Sequence, residues 1–153
     1  MRVCPLLTRI HPHTQSAVCA ALSFNLTAIT AISYLPLFEK AAKLTPPIVN
    51  LYRYIMELTL LDYRYLPHPP SLIAAGALLV TLTMNKLPWT DTVSHYTSYT
   101  PSSVKGVALQ LISTMWLSED SSLKTVYSKY KGKKWGEVSL RTVPRKEEID
   151  LWF

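Results

Sequence analysis

Two hydropathy patterns divide the chain. Residues 14–38 carry no charged side chain, and residues 17–38 hold 16 apolar positions in 22. Ser23, Asn25, Thr27, Thr30, Ser33 and Pro36 interrupt that run. Arg2 and Arg9 precede it, so it reads as a signal peptide or signal anchor: a basic start, then an apolar run. Ala31-Ile32-Ser33 would serve as a cleavage site, and Asn25-Leu26-Thr27 is a glycosylation sequon, here inside the span or the cleaved piece. The polar interruptions weaken a membrane span. A further reading is that residues 1–36 are a misassigned exon.

From residue 45 the pattern becomes helical. Thr45-Pro46-Pro47 supplies a hydroxyl cap and a first-turn proline. Ile48, Leu51, Tyr52, Ile55, Leu58 and Thr59 then recur at helical spacing, with Arg53 and Glu57 four apart on another face, and the helix ends near Asp62. Pro67, Pro69 and Pro70 make a rigid loop. Residues 71–84 are uncharged, too short to span a membrane, and read as a central helix buried all round. Ala74, Ala75, Gly76 and Ala77 would let neighbouring helices approach it closely. A short helix is predicted over 89–99, with Val93 and Tyr96 on one side. Thr100-Pro101 opens another, striped by Val104, Val107, Ala108, Leu111, Ile112 and Met115. Leu123, Val126, Tyr127 and Tyr130 suggest a last helix, stopped by Gly132. No useful length alternates with period two. The expected fold is all-α: five helices packed around the apolar helix at 71–84.

Composition narrows the chemistry. At 153 residues, with 48% apolar and 17% charged positions, the chain suits one folded domain. Its four glycines (76, 106, 132 and 136) are too far apart for a phosphate-cradling loop. Cys4 and Cys19 cannot make a disulfide framework or a cysteine-rich zinc site. Neither H-E-x-x-H nor G-x-S-x-G occurs. The net charge of +6 is a mild excess that suits an acidic or nuclear partner as well as an ordinary soluble protein.

Several side chains merit weighing. Lys124, Lys129, Lys131, Lys133 and Lys134 are interleaved with Tyr127, Tyr130 and Trp135. A nucleic-acid or nuclear-import patch is the sharp reading; a solvated helix C-terminus is the preferred one. His11 and His13 lack a third metal ligand, while His68 and His95 read as surface or satisfied histidines. Thr45-Pro46 and Thr100-Pro101 are minimal proline-directed phosphorylation motifs, better explained as helix starts. Glu57 and Asp62, five apart, do not share a face well enough for an acid–base pair. Trp89 and Trp116 are expected as core or interhelix anchors. No catalytic, cofactor-binding or metal-binding residue is expected, and no partner-contact residue is assignable.

Several separated segments resemble one family. YIMELTLLDY at residues 54–63 resembles the YLMELTLxDY signature of mitotic cyclins. LPHPPSLIAA at 66–75 resembles their PSxIAA helix start, and WTDTVSHYTSY at 89–99 their W-x-x-T-L-x-x-Y-T-x-Y segment. SLKTVYSKY at 122–130 is similar to their last helix, and FEKAA at 38–42 to the F-x-K-A-A that opens their second box. Order and spacing agree across about two thirds of the chain. The resemblance is to the C-terminal box of an A/B-type cyclin, and it implies a five-helix cyclin-box fold. It also implies a regulatory, non-enzymatic subunit of a cyclin-dependent kinase in cell-cycle control, in nucleus and cytoplasm, without cofactor or small-molecule substrate.

Nothing within these 153 residues corresponds to the family's first box, and no arginine has leucine three residues on, as a destruction box would. The expected organisation is an unmatched segment 1–36, a cyclin C-terminal domain 37–140 and a flexible tail 141–153. The expected product is a fragment or truncated paralogue unable to activate kinase alone. A standalone helical interaction module and a protein anchored in a membrane through 14–38 are the alternatives.

Overall fold

The computed structural model describes residues 5–118 and 124–143, with side chains from residue 13 onward. Seven α-helices occur among them: α1 (Pro5–Ala21), α2 (Leu35–Ala41), α3 (Pro46–Leu58), α4 (Pro70–Met84), α5 (Asp91–Thr97), α6 (Pro101–Ser118) and α7 (Thr125–Tyr130). Short 3₁₀ turns join them, and no strand occurs among the described residues. The fold is all-α, with the five expected helices appearing as α3 to α7.

The stretch 14–38 departs from the sequence expectation. It is not one helix. α1 stops at Ala21, and Ser23 and Phe24 turn the chain at positive φ (51° and 56°). The chain then passes through a 3₁₀ turn, Ala31–Tyr34, into α2, which has Pro36 in its first turn. Among the described residues no helix is long and apolar enough to cross a membrane. Leu35, Phe38 and Ala41 of α2 are buried in the core, so this apolar stretch partly serves packing. Cys4 lies outside the described residues; Cys19 is half-buried and unpaired.

α4 is the axis. Every residue from 73 to 83 is buried, which accounts for its uniformly apolar sequence. Its two interior threonines satisfy their hydroxyls on carbonyls one turn back: Thr81 donates to Ala77 (2.8 Å) and Thr83 to Leu79 (2.9 Å). α6 lies against α4, burying Val104, Val107, Ala108, Leu111, Ile112 and Met115, the predicted stripe. Close approach rests on Gly76: a Cβ there would stand 3.0 Å from Val107 Cγ1. α3 packs on α4, α6 and α7 and buries Leu51, Tyr52, Tyr54, Ile55 and Leu58, with Tyr54 bonded to Ser118 Oγ (2.9 Å) and packed against the Tyr130 ring.

The two threonine-proline starts differ. Thr100 and Ser103 cap each other: the Thr100 N–H donates to Ser103 Oγ (3.1 Å), and the Ser103 N–H to Thr100 Oγ1 (3.4 Å). The Thr45 hydroxyl, expected to cap α3, makes no such bond. Pro46 and Pro47 have no N–H, and the Ile48 N–H goes instead to the Thr45 carbonyl (2.9 Å). On α5 the pair facing inward is Val93 and Thr97, not Val93 and Tyr96; Tyr96 is exposed. Residues 144–153 of the expected tail lie outside the described residues. Arg141, at the start of that tail, donates from Nη1 to Asn85 Oδ1 (3.2 Å).

Candidate functional site

The exit of α3 presents several exposed apolar side chains. The helix gives way to two 3₁₀ turns, Thr59–Leu61 and Tyr63–Tyr65. The Thr59 hydroxyl donates to the Met56 carbonyl (2.7 Å), holding the first turn. Asp62, in an extended conformation between them, accepts from the Arg64 N–H (3.0 Å) and from Arg64 Nε (2.8 Å). That fork keeps the Asp62 carboxyl below the usual carboxylate range, chiefly through its hydrogen bond with the Arg64 side chain. Tyr65 is turned inward, its hydroxyl 2.6 Å from Thr114 Oγ1, and burial raises its pKa.

The same turns force apolar neighbours outward. Leu60 is 76% exposed, Tyr63 82% and Leu66 83%. Leu61 and Leu117 wall a groove with Leu58, Thr114 and the Asp62–Arg64 pair. Leu60 extends this ledge toward Ile32, with which it shares a shallow pocket over Met56. Contiguous exposed apolar surface of this kind marks protein–protein contact more often than scattered single residues do.

Behind the ledge, Glu57 ties α3 to α7. Lys129 Nζ lies 2.8 Å from both its oxygens, and the Tyr130 hydroxyl donates to Oε1 (2.8 Å). Burial first, and then Glu57, raise the Tyr130 pKa. The carboxylates of Glu57 and Asp62 thus serve different cation partners. Neither faces the other as an acid–base pair would require.

The remaining sequence candidates scatter. Tyr130 is fully buried, and Trp135 packs on it with Lys129 and Lys134 over its ring. Lys124, Lys131, Lys133 and Lys134 are exposed. His68 Nε2 is 3.2 Å from Gln110 Oε1, and His95 stands edge-on to Tyr96. His13 is exposed on α1, and His11 is on the same helix. Among the described residues no cluster of three His, Cys, Asp or Glu could hold a metal. Trp89 is half-buried and donates from Nε1 to Ser94 Oγ (2.8 Å), a local anchor. Trp116 is 45% exposed, so it is not the interhelix anchor expected. The ledge itself escaped sequence reading. Its signal is the surplus of large apolar residues at 60, 61, 63 and 66, beyond what the α3 stripe uses.

Comparison with known proteins identifies the architecture. The family model "Cyclin, C-terminal domain" matches residues 29–144. The chain is 33% identical over 144 residues to cyclin-A2-1 of Arabidopsis thaliana, covering 89% of this chain and 32% of that protein. It is 34% identical over 122 residues to cyclin-B1-5 of Oryza sativa subsp. japonica, covering 78% and 27%. Against cyclin-A2 of Xenopus laevis the identity is 33% over 129 residues, covering 83% and 31%. The chain thus spans about a third or less of the length of these relatives. The helices around α4, the motif order and the matched residues agree: the chain belongs to the cyclin family, through its C-terminal domain.

Proposed function

We propose that these residues form the C-terminal box of a cyclin-type regulatory subunit, which acts in cell-cycle control by binding a cyclin-dependent kinase rather than by catalysis. The family match carries this reading, and the exposed ledge at the signature segment 54–66 supplies a surface for protein contact. We take the box to span residues 29–143, somewhat earlier than the 37–140 that the motifs suggest. Leu35 is buried in the core, and the family match begins at residue 29. The box acts as a rigid helical scaffold. It offers partner surfaces and supports a first box, while the chemistry belongs to the kinase. The complex works in nucleus and cytoplasm.

The 153 residues alone do not activate the kinase, since they match one box. The test is a histone phosphorylation assay. Kinase mixed with the purified chain should stay at its basal rate. Kinase mixed with a chimera that joins a mitotic cyclin's first box ahead of residue 29 should be active. Robust phosphorylation with the chain alone would overturn the inability to activate. An inactive, well-folded chimera would overturn the scaffold role.

A further inference from the structure

On another face of α6 from the ledge, Met115 and Trp116 wall a groove of about 350 Å3 with Tyr127 of α7 and Leu140, Arg141 and Val143 beyond it. Two of its large apolar side chains stand open: Trp116 is 45% exposed and Leu140 51%. The rim is basic. Lys124 and Lys131 lie three before and four after Tyr127, which puts them on the Tyr127 side of α7 and the turn that follows it. Lys133 and Lys134 follow in the next 3₁₀ turn. All four lysines are exposed, and among the described residues no ion pair engages them. Glu137 is the one described carboxylate in the segment 124–143.

We infer that this groove docks a short acidic peptide segment of a partner protein, one that carries a large apolar side chain. Charge complementarity sets the acidity: Arg141 of the lining, with the exposed Lys124 and Lys131 on the Tyr127 side of α7, draws in carboxylates and orients them. The apolar walls set the rest. Met115, Leu140 and Val143 give an aliphatic side chain or an indole contact area that a phosphate backbone cannot use. Nucleic acid fits this corner less well. Binding a single strand needs open aromatic faces for base stacking. Here Tyr130 is fully buried, the Trp135 ring is occupied by Tyr130, Lys129 and Lys134, and Trp116 offers one open ring where a strand needs successive ones. This inference stands apart from kinase binding, because it uses none of the ledge residues.

The probe is a fluorescein-labelled peptide, Asp-Glu-Asp-Trp-Glu-Leu-Asp, titrated with the full chain and followed by anisotropy. Saturable binding is expected, weakening several-fold between low and physiological salt as exposed charges are screened. Lys124→Glu with Lys131→Glu should weaken it at least tenfold. Trp116→Ala, or Leu140→Ser as a second variant, should do the same with unchanged circular dichroism. Three results would overturn the inference. One is no binding. Another is loss on lysine reversal but not on Trp116→Ala or Leu140→Ser, which marks charge attraction without a groove. The third is a twelve-residue oligothymidylate that competes as well as unlabelled peptide.

Discussion

The hydroxyl of Tyr52 on α3 donates to the main-chain carbonyl of Ala74 on α4, 3.0 Å away and fully buried. This bond fixes the register of α3 against the central helix at a point where both are otherwise apolar. Tyr52→Phe keeps the ring and removes the donor. It should cost about 1 kcal/mol at neutral pH, the usual net worth of such a bond, read as a lowered midpoint in urea. No change in midpoint would mean the bond adds nothing beyond the packing of the ring.

The two helical glycines should respond in opposite directions. Gly76 on α4 faces Val107, whose Cγ1 and Cβ would lie 3.0 and 3.3 Å from a new Cβ. Valine in a helix has essentially one χ1 rotamer, so the neighbour cannot swing away. Gly76→Ala should therefore destabilise by about 1–3 kcal/mol despite the better helix propensity. Val107→Ala should suppress that penalty in the double mutant. Gly106, exposed within α6, has open space where a Cβ would stand, with nothing within 4 Å, so Gly106→Ala should stabilise by about 0.5–1 kcal/mol. Thermal melts of the four variants check both signs.

Three tyrosines set an alkaline limit. Burial raises the pKa of Tyr52, Tyr65 and Tyr130 above the ordinary value near 10, and Glu57 adds to it for Tyr130. The unfolded chain releases these protons near pH 10 while the folded chain keeps them. Their contribution is thus complete below pH 10 and falls as pH rises above it, toward the raised folded values. For Tyr52 the slope approaches about 1.4 kcal/mol per pH unit. Urea midpoints measured from pH 8 to 11.5 should be flat to about 10 and then drop. In Tyr52→Phe the drop should be shallower. An equal drop in that variant would assign the alkaline limit to other groups.

Much of the box was legible because its signals are periodic. The stripe of α6 and the unbroken apolar run of α4 each match the burial they receive, since helical spacing and all-round burial leave direct marks on sequence. α2 was the hard case. Leu35 and Phe38 belong to the core, but they sit in a longer apolar stretch whose composition resembles a signal segment. Only tertiary contact distinguishes the two. The Thr45 cap failed for a local reason: prolines at the two first helical positions remove two donors, and the Ile48 N–H that remains bonds the Thr45 carbonyl. The ledge was missed for the converse reason. Leu60 and Leu66 look like core residues in any sequence pattern. It takes the Asp62–Arg64 turn to direct them into solvent.

That turn makes the ledge separable from the core. Leu60 and Leu66 are 76% and 83% exposed, so aspartate at either position buries no charge. Leu60→Asp with Leu66→Asp should change folding stability by no more than about 0.5 kcal/mol, as surface substitutions usually do. If the ledge is where a partner rests, the same double variant, placed in the two-box chimera, should bind kinase or assemble its boxes at least tenfold more weakly. A loss of that size is about 1.4 kcal/mol, well within what an apolar anchor supplies at the centre of an interface. Affinity and assembly unchanged, with stability unchanged, would show that the ledge meets solvent in the working complex. The partner surface would then have to be sought among the remaining exposed residues of α1 and α5, such as Val18 and Tyr96.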